Sequence, residues 1–103
     1  RQAGGVQGTE LRSAEHRTVW VQHIQFMEND VAFFGEFKIS GIPKHVDHLK
    51  FAIKSTNPDL VRCSHPLLDI YNLTEEGQFQ LLHPRQKLLA RDLEHTFFFV
   101  LPQ

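Results

Sequence analysis

The segment Phe51 to Pro58, reading FAIKSTNP, decides the fold. Taken with the preceding Leu49 and Lys50 it alternates: Leu49, Phe51 and Ile53 fall on one side, Lys50, Ala52 and Lys54 on the other. A period of two describes a strand with one buried face. Ser55 to Pro58 then reads as a turn, because Ser, Asn and Pro each favour turn geometry. On this reading Lys54 and Thr56 stand on the side away from the core. A cation and a hydroxyl so placed can receive a carboxylate or phosphate through charge-assisted hydrogen bonds. The plainer account is a lysine that guards an exposed strand and a turn that follows it.

The same β-rich pattern extends in both directions. Thr18 to Phe26 is β-branched and aromatic, with Trp20, Ile24 and Phe26 on one parity, and predicts a strand. Asn29-Asp30 is turn chemistry. Val31 to Ser40 predicts the next strand, with Phe33, Phe37 and Ile39 pointing one way and Phe34, Glu36 and Lys38 the other. Gly35 inside that run signals a bulge or a close backbone approach. Gly41 and Pro43 make residues 41–48 a loop. Residues 60–73 are extended, with Pro66 barring a central-strand position there. A short strand follows around Phe79 to Leu82, and residues 84–95 suit either a loop or a helix of about two turns, given Pro84 and the Leu89/Leu93 spacing. Phe97 to Leu101 is apolar on both parities, which predicts a central or covered strand. Residues 1–10, rich in Gly and Gln, read as a flexible lead-in, and residues 11–14 as a turn of helix.

These spacings predict one all-β domain over 11–103. The expected architecture is an immunoglobulin-like antiparallel β-sandwich of about seven strands, with room for one short helix near 84–95. A length of 103 residues with a 41% apolar share supports a single modest core. Net charge is −1 and no Lys/Arg-rich run occurs, so a nucleic-acid footprint is not expected. The single cysteine, Cys63, allows no intrachain disulfide and fits a reducing, cytoplasmic setting as a buried thiol. No apolar run approaches the ~18 residues of a membrane span. The first residue is Arg1, which suggests a piece of a longer protein.

Catalytic and metal signatures are missing. His45 and His48 form the tightest histidine cluster, but on a loop and without a marked third ligand. Cys63 and His65 on one strand face would stand ~7 Å apart, too far for a dyad. Glu75-Glu76 reads as a solvated turn. No serine elbow, phosphate loop or dinucleotide fingerprint occurs. The expectation is therefore a chain that is not an enzyme, with no cofactor and no metal. The aromatic surplus is more informative: if Phe97 and Phe99 fill the core, Phe98 faces elsewhere, as Phe34 does opposite Phe33. Such residues either pack under another element or form an exposed partner site.

The stretch FKISGIPKHVDHLKFAIKSTNPDLVRC is similar to the signature of major-sperm-protein domains, with Phe51, Ile53, Lys54, Ser55, Thr56 and Pro58 in the matching places. The similarity spans about residues 37–101. Thr96 stands where that family has a basic residue for acidic, aromatic peptides. The wider immunoglobulin-like sandwiches of cilia and centrosome proteins, and of the pilus-chaperone kind, resemble it equally. The resemblance implies a β-sandwich that serves targeting and assembly. The expected function is a protein-interaction module of a larger intracellular scaffold or adaptor, of cytoskeletal type. It would bind a peptide or partner strand by strand addition, with Lys54, Thr56, Phe98 and Phe34 as the contact residues and self-association as a further option. The alternative is a C2-like domain on a lipid or membrane surface, necessarily calcium-independent because clustered loop aspartates are missing.

Overall fold

The computed structural model describes residues 18–102. The expected lead-in at 1–10 and the helical turn at 11–14 lie outside the described residues. Five strands form one mixed sheet: β1 (Thr18–Phe26), β2 (Val31–Ser40), β3 (Asp69–Leu73), β4 (Phe79–Leu81) and β5 (Phe97–Val100), in the order β2-β1-β5-β3-β4. One helix, α1 (Val46–Thr56), accompanies them. The fold is thus β-rich, as the sequence indicates. Among the described residues, however, it is a single sheet with a helix rather than a seven-stranded antiparallel sandwich. β5 runs parallel to β1 and antiparallel to β3, so the sheet is mixed. Its central place explains why Phe97, Phe98 and Phe99 are all buried.

The decisive segment is helical. Leu49 and Ile53 satisfy a period of two and a period of 3.6 equally, since four residues is two strand repeats and about one helical turn. Val46 breaks the tie: Val46, Leu49, Lys50 and Ile53 make one buried stripe at helical spacing. Phe51, assigned to the core by the strand reading, is instead 54% exposed. The helix is closed at both ends. The N–H of Val46 donates to the carbonyl of Gln86 (3.0 Å) and that of Asp47 to the carbonyl of Pro84 (2.9 Å). The N–H of His48 donates to Nδ1 of the cap residue His45, at 3.4 Å. These contacts satisfy N–H groups that have no partner within the helix. Asp47 in the first turn and Lys54 in the last suit the helix dipole. At the far end the N–H of Asn57 reaches the carbonyl of Ile53, and Pro58 stops the helix.

Residues 84–95, the expected site of a helix, serve α1 in another way. They run as turns with a single 3₁₀ turn at Asp92–Glu94. They carry the two carbonyls that cap α1 and bury Leu88 and Leu93 against the same core.

The two sheet faces differ. Val19 and Val21 of β1, Ile39 of β2, Ile70 of β3 and Phe97 and Phe99 of β5 pack with α1 in one core. The parity expected for β1 is therefore reversed over its first half, and Trp20 lies 40% exposed on the other face. β2 changes parity midway. Gln22 pairs with Glu36 and Ile24 with Phe33, so Phe34 and Gly35 together oppose His23. This is the bulge that Gly35 signalled. No atom lies within 4 Å of a Cβ built there, so close approach is not its cause. The extra residue puts Phe37 and Ile39 on the α1 side and Phe33 on the other, splitting the predicted trio.

Bulged strands bend, and this one curls the sheet. β2 and β4 are the two edges, which a flat sheet would hold roughly 19 Å apart, four strand spacings. Yet the rings of Phe33 and Phe79 lie 6.4 Å apart. Phe26 also meets Tyr71 (4.9 Å) and Phe79 (5.6 Å), and Phe79 meets Phe98 edge-on at 5.0 Å. The β1–β2 hairpin therefore folds over the face opposite α1 and makes a second, aromatic cluster. Ile24, on the same parity as Trp20, is fully buried.

The helix makes opposite demands on two neighbouring residues. Leu49→Ala should cost about 2–5 kcal/mol of stability and Phe51→Ala less than about 1 kcal/mol, read by urea unfolding. A strand over 49–54 would make the two losses equal.

Candidate functional site

α1 crosses the core with one stripe and leaves a second stripe beside β2. His48, Phe51, Ala52, Ser55 and Thr56 recur at helical spacing and face Lys38 and Ile39 across a groove of about 330 Å³. The groove continues past Gly41, Ile42 and Pro43, sharing His48 and Ala52. Its apolar surface comes from Ile39, Ile42, Phe51 and Ala52. Its polar side-chain groups are an imidazole and two hydroxyls, while the ammonium of Lys38 lies over the ring of Trp20 on the other face. β2 is an edge strand of ten residues, and among the described residues no strand pairs with its outer side. An open backbone edge thus lies beside a channel that can accept side chains.

The four residues singled out from sequence do not converge. Thr56 lines the groove, on the last turn of α1. Lys54 does not: its Nζ donates to the carbonyls of Cys63 (2.8 Å) and Val61 (3.1 Å). One turn earlier Lys50, only 3% exposed, donates to the carbonyl of Pro66 at 3.4 Å. The two ammonium groups fasten the 61–66 loop to the helix. Phe98 is 8% exposed, its ring against Phe79, so it offers no surface to a partner. Phe34 is 53% exposed at the far end of β2, its ring 4.7 Å from that of His23.

Sequence reasoning missed the residues at the centre of the groove. The strand reading puts Phe51 and Ala52 on opposite faces of a strand and His48 on a loop. A test for helical spacing from His48 to Thr56 would have found the stripe.

Other features have structural roles. His45 and His48 stack at 5.5 Å. Among the described residues no group of three or more His, Cys, Asp or Glu side chains is placed to hold a metal ion. A cavity of about 40 Å³ beside Asn72, Gln86 and His95 has room for water rather than a ligand. No helix among the described residues is long and apolar enough to cross a membrane. No protein-family model matches the chain, and no curated protein shows detectable similarity to it. The residues that carry the resemblance to major-sperm-protein domains, Phe51 to Pro58, form the end of α1 and the turn after it.

His23 lies between the rings of Phe34 and Phe99, the latter stacked at 5.1 Å. Burial holds its imidazole below the usual histidine value. The unfolded chain then takes up this proton near pH 6.5 and the folded chain only at lower pH. Stability from this site is complete above the unfolded value and is lost as pH falls through the folded one. Thermal melts followed by circular dichroism should show a midpoint that drops as the solution is acidified below about pH 6.5. His23→Phe should flatten that slope; an unchanged slope assigns the acid sensitivity elsewhere.

Proposed function

We propose that the chain is a non-enzymatic protein-interaction module, a domain of a larger scaffold or adaptor, which binds an extended segment by strand addition at the outer edge of β2. The observation that carries this reading is the open ten-residue edge beside the α1 groove. An added strand gains main-chain hydrogen bonds from the edge, and its alternate side chains enter the pockets beside it. Ile39 and Ala52 form an apolar floor for those side chains, with Phe51 as a wall. His48, Ser55 and Thr56 supply polar groups around them.

A lipid surface is the weaker reading. The most exposed apolar side chains of the β1–β2 hairpin are Met27, Phe33 and Phe34. Glu28 and Asp30 accompany them at the tip, and the anionic surface of a cytoplasmic leaflet repels carboxylates.

Selection of randomised peptides displayed on phage tests strand addition. Enriched sequences should alternate apolar and polar residues. Ala52→Arg, which fills the groove from a partly exposed position, should weaken them at least tenfold, about 1.4 kcal/mol, with little change in melting. No enrichment, or equal binding to the variant, defeats the reading.

A further inference from the structure

We infer that the strand added to β2 is the β2 of a second copy of this chain, antiparallel and related by a two-fold axis through Phe37. This rests on strand addition at β2 and names its occupant. The argument is charge complementarity. Glu36 and Lys38 are both exposed and point to the face away from α1. A two-fold axis perpendicular to the sheet keeps both helices on one face and requires some residue of β2 to sit opposite itself. Through Phe37, Glu36 of each copy faces Lys38 of the other, which makes two opposite-charge pairs. An axis through Glu36 sets that carboxylate against its own copy, and one through Lys38 does the same to the ammonium. Like charges directly opposite are destabilising.

In this register Glu36 to Lys38 lies opposite Lys38 to Glu36 of the second copy, and the ladder ends on either side where Ile39 and Ser40 come opposite the bulge at Gly35 and Phe34. The groove lies on the same side of β2, so the second copy brings the outer stripes of the two α1 helices toward each other. Phe51, 54% exposed despite its size, then gains an apolar neighbour across the axis. Lys38 rests over the ring of Trp20, 5.1 Å from its centroid, which holds the ammonium on the open face where Glu36 of the second copy arrives.

Sedimentation equilibrium of the full chain from micromolar to millimolar loading tests the inference. The expected result is a reversible dimer. Glu36→Lys and Lys38→Glu should each weaken it by at least roughly tenfold, since each replaces two attractive pairs with two repulsive ones. The combined E36K/K38E variant should restore it. Single variants that leave the dimer intact, or a combined variant that fails to recover it, overturn the register and the inference with it. Peptide selection on the monomeric Glu36→Lys chain separates this from the underlying reading. A wild-type chain that stays monomeric while peptides still bind overturns the second copy and leaves strand addition standing. A wild-type chain that stays monomeric and selects no peptide overturns both.

Discussion

The seating of α1 on the sheet is the constraint from which the other features follow. Val46, Leu49 and Ile53 are fully buried against strands that are far from them in sequence. Their removal from water is worth roughly 1.5–3 kcal/mol each. Because an α-helix has more than one face, the stripe that reaches the core also fixes where the other stripes go. One of them, His48 to Thr56, comes to rest beside β2 and makes a groove there. The same seating requires partners for the helix N–H groups, and the loop at 84–88 supplies carbonyls from Pro84 and Gln86. It also leaves the 61–66 loop alongside the helix, where Lys54 donates to the carbonyls of Val61 and Cys63 and Lys50 to that of Pro66. Sheet, capping loop and lysine-tied loop thus depend on one apolar stripe.

The sheet resolves a second conflict, between nine phenylalanines and one helix. A single α1 covers one face only. The bulge at Phe34-Gly35 bends the hairpin so that Phe26 and Phe33 come down on Tyr71 and Phe79. The other face therefore closes on itself with aromatic side chains instead of a second layer. This is why Phe98 is buried without touching the α1 core. It is also why the chain reads as sandwich-like from its composition while its described residues form one sheet.

Much of this was legible in the sequence. The strands at 18–26 and 31–40, the bulge at Gly35, the short strand near Phe79 and the central place of the closing FFFV segment all follow from period, turn chemistry and two-sided apolarity. The helix was not, because Leu49 and Ile53 fit both periods and the tie-breaker, Val46, stood in a stretch that Gly41 and Pro43 made look like loop. The facing of β1 was missed because Trp20 and Phe26 are the largest side chains on their parity, and the smaller Val19 and Val21 hold the core. The β1–β5 pairing joins residues near the two ends of the chain, and no local pattern reports it. Thr56 is the one predicted contact residue that reached the groove; Lys54 turns instead to the carbonyls of Val61 and Cys63, in the loop that follows the helix.

An open edge strand invites indiscriminate pairing, and the two edges of this sheet meet that hazard differently. β4 is three residues long and offers too little ladder to hold a partner. β2 is long, but Gly35 kinks it and Lys38 sits in its regular half, so a strand without a carboxylate opposite that lysine gains little. These are the devices that natural sheets use against edge-to-edge aggregation. Here they also limit what a productive pairing looks like: it must centre on Phe37, and it must answer both charges. A two-fold contact of that kind uses the same patch on both copies and leaves no second long edge exposed among the described residues, so it closes at two. The features that protect β2 from unspecific neighbours are therefore the ones that define its specific one.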